Sequence, residues 1–267
     1  MAYPAFSGPV VFLICLAAVT KRAQYPFSSW LPLAMAAPTP VSALVHSSTL
    51  VTAGIYLIIR AFPSVERFGW ALAGLLVVGV LTRLLAGLAA LVEFDAKKVV
   101  AYSTLRQLGL MACALGLGCP QVALFHLLTH ALFKALLFLR VGRLIHQCQH
   151  AQDLRGWGGL AAQFPGTWAA FSLANVALLG LPFFSGFYSK HLILEVPHVA
   201  AHVWLLQPLL CLATTLTVAY SVRVLCLTSL RARRLTPLRL ASQQAGPFVA
   251  CLPLLRVASG VAGRSLR

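Results

Sequence analysis

Between Trp70 and Val92 the chain carries a single charge, Arg83, in a run otherwise built of apolar and small residues. About 20 such residues on a helix cross the ~30 Å hydrocarbon core of a bilayer. Within that core only helices and closed barrels satisfy every backbone polar group. The pattern recurs along the sequence. Passages are predicted from Ser7 to Ala36, Val41 to Ile59, Trp70 to Val92, Val99 to Leu117, Val122 to Ile145, Trp168 to Leu194 and His202 to Leu227. Composition agrees: 60% of the 267 residues are hydrophobic and 10% charged, with a mean hydropathy of +0.85. The fold class expected is therefore all-α, a polytopic membrane bundle of about seven transmembrane helices. Residues 1–228 form one transmembrane domain and residues 229–267 a basic tail.

Two passages contain breaks. The first is interrupted by Lys21-Arg22, Pro26 and Pro32, the sixth by Gly180-Leu181-Pro182 and Ser185-Gly186. Proline inside a helix removes a backbone hydrogen bond. In a membrane such breaks are tolerated where the freed groups face protein or a watered cavity, and transporters build ion sites from paired discontinuous helices. A packing kink accounts for a lone proline. It does not account for a lysine beside each break, Lys21 in one and Lys190 in the other.

The chain has five lysines, of which Lys21, Lys134 and Lys190 are expected to be embedded. Lys97 and Lys98 stand at a membrane edge beside Glu93 and Asp95, where a solvated ion-pair cluster is expected. His126, His130 and Lys134 follow one another at i, i+4, i+8, which on a helix places them along one face over about 12 Å. A lone histidine on an apolar face is commonly a satisfied core residue; two in register with a lysine point instead to an ion path inside a bundle. A lysine taken out of water holds its proton less firmly, and histidine titrates near neutral pH. Alternating His and Lys groups joined by water thus relay protons along the membrane plane. His46, next to the hydroxyls of Ser47, Ser48 and Thr49, either joins this row or is a satisfied structural histidine. Arg83 either snorkels or pairs. Asp153 and Arg155 read as a loop ion pair.

The net charge of +16 would suggest nucleic acid in a soluble chain. Here Arg and Lys cluster at the ends of apolar runs, the places where positive-inside topology and anionic lipid, cardiolipin included, put them. No nucleic-acid partner is expected. Seven crossings, with Lys97, Lys98, Arg140, Arg143, Arg155 and the tail arginines on one side, put the tail in the matrix or cytoplasm. The seven cysteines show no CxxC pairing and read as small hydrophobes. No metal, flavin, haem or iron–sulfur motif is present. The start, Met1-Ala2-Tyr3-Pro4, lacks the pattern of a transit peptide, which predicts synthesis within the chain's own compartment or an uncleaved signal.

The segments from Lys21 to Pro32 (KRAQYPFSSWLP), Met35 to His46 (MAAPTPVSALVH), Thr52 to Leu57 and Asp95 to Thr104 (DAKKVVAYST), with the His126–Lys134 stretch, resemble the antiporter-like subunits of respiratory NADH:quinone oxidoreductase, complex I. Gly186-Phe187-Tyr188-Ser189-Lys190 and Gln152-Asp153-Leu154-Arg155 resemble the distal such subunit most. The resemblance covers roughly residues 10 to 195. It implies proton translocation driven by quinone reduction elsewhere, through Lys21, His46, His126, His130, Lys134 and Lys190, with Pro26, Pro32, Gly180, Pro182 and Gly186 at the helix breaks. It implies no bond-making site, no metal and no cofactor in this chain, with FMN, iron–sulfur clusters and ubiquinone held by other subunits. Other membrane-arm subunits are the expected partners, in the mitochondrial inner membrane or a bacterial plasma membrane. Two departures stand out. The glutamate that pairs with the first lysine in the family belongs to an earlier helix, so a separate polypeptide supplying the N-terminal half is expected. The acidic residue usual after the second broken helix's lysine is replaced by His191, which implies an altered exit. A multi-subunit sodium/proton antiporter, or a structural remnant that moves no protons, are the competing readings.

Overall fold

The computed structural model describes residues 6–47, 49–199 and 206–230. The expected tail beyond Leu230, the start of the seventh passage at His202 and the Ser48 hydroxyl lie outside these residues. Among them the regular structure is helical: α1 (Gly8–Lys21), α2 (Trp30–Leu33), α3 (Thr39–Ser47), α4 (Leu50–Val65), α5 (Gly69–Val92), α6 (Ala96–Gly116), α7 (Pro120–Gln147), α8 (Leu160–Gln163), α9 (Pro165–Leu179), α10 (Ser185–Val199) and α11 (Leu206–Ser229). Five spans have the length and apolar character to cross a membrane: Thr39–Val65, α5, α6, α7 and Gln207–Ser229. The second passage is thus longer than the expected Val41 to Ile59, and its α3 and α4 parts meet near residue 48. The two passages expected to be discontinuous are so: α1 stops after 14 residues, and the sixth passage is split into α9 and α10.

Each break is held by side chains that answer the freed backbone groups. After α1 the chain passes through Ala23, with φ 54°, and a cis Tyr25–Pro26 bond. Trp30 Nε1 donates to Thr20 O at 3.3 Å and Arg22 Nε to Ala18 O at 3.2 Å. Gln24 Nε2 docks this turn on the middle of α6 through Leu108 O, 3.3 Å. At the second break Gly180 adopts φ 80°, the left-handed conformation that ends helices without a Cβ clash, and its N–H reaches Val176 O at 3.1 Å. Gly186 then crosses so close to α9 that a Cβ there would lie 1.9 Å from Ala177 O. Only glycine permits that approach.

α6 is the least apolar of the five spans and the most buried. Its burial runs almost unbroken from Val99 to Leu115, as expected of a helix at the centre of a bundle. In lipid the partners of such a helix are selected by close van der Waals packing, which small residues allow. α5 offers Ala71, Leu75, Gly79, Ala86 and Ala90 along one buried stripe. A Cβ on Gly79 would come 2.9 Å from Gly109 O, and one on Gly109 would come 2.7 Å from Gly79 O.

One end of the bundle is tied by a small polar assembly. Asp95 caps α6 by accepting from Lys97 N at 3.0 Å. Ala96 N donates to Gln152 O and Leu154 N to Phe94 O, both at 2.9 Å, so the α5–α6 turn and the loop after α7 share one side. Arg223 of α11 donates to Glu93 O at 3.1 Å and to Leu91 O, satisfying carbonyls at the end of α5. Phe94 lies between the guanidinium groups of Arg155 and Arg223, 4.6 and 4.4 Å from its ring centre. Lys97 and Arg155, two of the cations expected on one side, therefore stand at one end together with Arg223.

Of two expectations at this end, one holds and one needs adjusting. Asp153 and Arg155 pair at 2.7 Å as expected, and this pairing raises the Arg155 pKa. The solvated cluster of Lys97 and Lys98 with Glu93 and Asp95 does not form among the described residues. Asp95 is occupied with the helix cap, and Lys97 is buried with its ammonium 3.4 Å from Ala37 O.

Candidate proton path in the membrane interior

α7 presents its polar face to α6, α10 and α3. Ser103 and Gln107, one turn apart on α6, meet Lys134 and His126 on α7, which is the register of two antiparallel helices. Lys134 Nζ donates to Ser103 Oγ in a short contact, with Val100 O 3.5 Å away. His126 Nε2 lies 3.3 Å from Gln107 Oε1 and its Nδ1 lies 2.9 Å from Ser189 Oγ on α10. With Gln107 offering an oxygen, Nε2 carries the hydrogen and Nδ1 accepts from the Ser189 hydroxyl. Ser189 has a second acceptor, Ser185 O at 3.3 Å, and itself accepts from Thr129 Oγ1 at 3.1 Å. Rotation of one hydroxyl thus moves a hydrogen between the ring and the start of α10.

His130 continues the row. Its ring centre is 6.2 Å from that of His126 and 5.3 Å from that of Phe133, and neither nitrogen finds a partner among the described residues. His126, His130 and Lys134 are all fully buried. Beyond Lys134 the ring of His46, on α3, stacks on Phe138 at 5.7 Å. Both of its nitrogens are likewise without a described partner, so the hydroxyls flanking it in sequence do not hold it, as far as they are described. At the other end Lys190 is buried and donates to Leu178 O, a carbonyl left open by the break after α9. The carboxyl end of a helix is the electronegative end, so the ammonium is favourably placed there.

The structure brings five of the six expected path residues into one buried band: Lys190 beside Ser189, then His126, His130, Lys134 and His46. Lys21 departs from expectation. It is exposed at the last position of α1, whereas the buried residue is its neighbour Arg22, fully enclosed with both terminal nitrogens lacking a described partner. Pro26 is exposed in the first turn and Pro32 partly buried within α2; Pro182 is exposed in the second turn. His191 points away from the band, pairing with Glu195 at 3.0 Å with both side chains about half exposed.

The sequence reading missed Ser103, Gln107, Thr129 and Ser189, whose ordinary polar identity says nothing until a partner helix is placed. It also missed Arg106. That residue was legible by the same sign as Arg83, a charge in the middle of an apolar run. Among the described residues no three His, Cys, Asp or Glu side chains assemble as a metal ligand set.

Residues 8–217 match the family described as NADH:quinone oxidoreductase/Mrp antiporter, TM. NADH-ubiquinone oxidoreductase chain 5 of Lumbricus terrestris is 54% identical over 79% of this chain and 37% of its own length. The protein of the same name from Anopheles gambiae is 56% identical over 79% of this chain and 36% of its own. This chain therefore spans little more than a third of those relatives. Among solved structures, one chain of the Mrp complex from Dietzia sp. DQ12-45-1b superposes with a TM-score of 0.85 at 35% identity, covering 99% of this chain and 29% of that one. A chain of the membrane-bound sulfane sulfur reductase, an archaeal respiratory membrane complex, gives a TM-score of 0.81 at 25% identity, covering 96% and 53%. The family match, the sequence identities and the superposition agree: this chain belongs to the NADH:quinone oxidoreductase/Mrp antiporter transmembrane family.

Proposed function

We propose that the chain is a proton-conducting part of the membrane arm of NADH:ubiquinone oxidoreductase, embedded in the mitochondrial inner membrane. The observation that carries this reading is the band from Lys190 and Ser189 through His126 and His130 to Lys134 and His46, buried among the helices and free of carboxylates. Protons pass along it by hydroxyl rotation at Ser189 and exchange between the histidines and lysines. Electron transfer belongs to other subunits, which hold FMN, iron–sulfur clusters and ubiquinone. Lys21, exposed on α1, meets an acidic partner outside the 267 residues, and the basic end around Lys98, Arg143 and Arg155 contacts anionic lipid such as cardiolipin.

The relatives named for chain 5 favour complex I over a sodium/proton antiporter. The Dietzia Mrp structure keeps the antiporter as the second reading. The deciding experiment is Lys134→Ala in native membranes, followed by purification and reconstitution. The expected result is an assembled complex that oxidises NADH and pumps fewer protons per electron pair. An unchanged proton ratio would refute the assignment of Lys134 to the path. Purification with antiporter subunits alone, lacking flavin and iron–sulfur proteins, would favour the second reading.

A further inference from the structure

Behind the His126 end of the band lies a cavity of about 180 Å3, lined in part by Arg83 of α5, Arg106 of α6, Lys190 and His191 of α10, and Thr214 and Thr217 of α11. Arg83 and Arg106 are 3% and 1% exposed. All three nitrogens of Arg106 and one terminal nitrogen of Arg83 are buried without a hydrogen-bond partner among the described residues. The nearest compensation for Arg106 is the Tyr220 ring, its centre 5.8 Å away, at the outer limit of a cation–π contact. Every Asp and Glu of the chain is among the described residues, five in all, and none lines the cavity. The closest in sequence, Glu195, is half exposed and engaged with His191.

Two guanidinium groups and an ammonium around one cavity, with no counter-charge, is an arrangement that burial and mutual repulsion both oppose. An isolated buried ion costs several kcal/mol, and a bare guanidinium presents five donors that water satisfies in hydrogen bonding but not in charge. The geometry points to a binding site for a small inorganic anion of the chloride class, held by Arg106 and Arg83 against Lys190. Position selects the size of the occupant. Arg83 and Arg106 fall near the middle of α5 and α6, so the site lies near the bilayer midplane, roughly 15 Å from the headgroup phosphates. The rim at His191 and Val218 is exposed, which gives the ion a way in. Gln107 also lines the cavity while its oxygen faces His126, so the anion sits one residue from the proposed path. The site does not rest on that path carrying protons.

The test is equilibrium dialysis of radiolabelled chloride against the full chain, purified from native membranes in the assembly it occupies there. Saturable binding displaced by bromide and not by gluconate is expected. The Arg106→Gln variant should weaken it about tenfold or more, the loss of one charge-assisted contact. If that variant does not assemble, the isotherm of the unaltered protein still decides. Absence of saturable chloride binding would overturn the proposal. So would a carboxylate of a neighbouring subunit found within hydrogen-bond distance of Arg106 in a structure of the assembly, since the counter-charge would then be protein.

Discussion

Ser189→Ala separates orientation of the His126 ring from the rest of the fold. The wild-type hydroxyl lies 2.9 Å from His126 Nδ1 in a place with no solvent. Removing it leaves that nitrogen without a donor, and a buried polar atom without its partner costs about 1–3 kcal/mol. Thr129 does not share the loss, because Phe125 O at 3.3 Å and His126 O at 3.1 Å remain as acceptors. The penalty therefore falls on the ring, which keeps only Gln107 at 3.3 Å. On the scale of ~1.4 kcal/mol per decade, occupancy of the productive orientation falls by roughly 5- to 150-fold relative to alternatives. In reconstituted vesicles the expected readout is intact NADH oxidation with a reduced proton ratio. Ser189→Thr, which keeps a hydroxyl, should restore the ratio. A merely structural serine would lose stability in the alanine variant with the proton ratio of the surviving protein unchanged. That result, or a wild-type ratio with wild-type thermal stability, would refute the orientation argument.

Two further substitutions test the frame that holds the band. Gly109→Val forces a branched side chain where even a Cβ meets Gly79 O at 2.7 Å and Arg83 at 3.1 Å. The α5–α6 seam must part, at a cost of about 1–3 kcal/mol, and the purified protein should unfold at a lower temperature; equal or higher stability would show that the seam is loose. Arg223→Met removes the donors that close the end of α5 and one of the two cations on Phe94. A loss of about 1.5–3 kcal/mol is expected for the charge-assisted bonds, seen as earlier thermal unfolding and as faster amide exchange around Leu91 to Asp95; protection there unchanged from wild type would count against the cap.

The membrane fold was legible in the sequence because lipid leaves little choice. A long apolar run has one backbone solution, so passages could be read from hydropathy alone, while prolines marked the first break and glycine with proline the second. What hydropathy could not rank was depth. α6 reads as the weakest span, since it carries Lys97, Lys98, Arg106 and Gln107, yet it lies at the centre because Lys97, Arg106 and Gln107 are buried among other helices. Lys21 and Arg22 show the same limit at single-residue scale. Adjacent cations on one helix differ by about 100° in direction, and only the packing of α1 on α4 decides that Arg22 is enclosed and Lys21 is not.

The band itself was half legible for a related reason. Periodicity on one helix finds His126, His130 and Lys134, because their spacing is internal to α7. It cannot find Ser103, Gln107 or Ser189, whose significance lies in the register between helices. Part of that register is set by a glycine: Gly186 brings α10 against the open carbonyls of α9. That close approach places Ser189 on His126 and Lys190 on Leu178 O. The Gly79–Gly109 seam brings α5 against α6 and carries Arg83 and Arg106 inward, side by side on the two helices, where neither could remain charged in lipid. A bundle that packs its helices tightly enough to align hydroxyls with histidines therefore also encloses whatever else those helices bear, and the enclosed cations have to be met by an ion or by another chain.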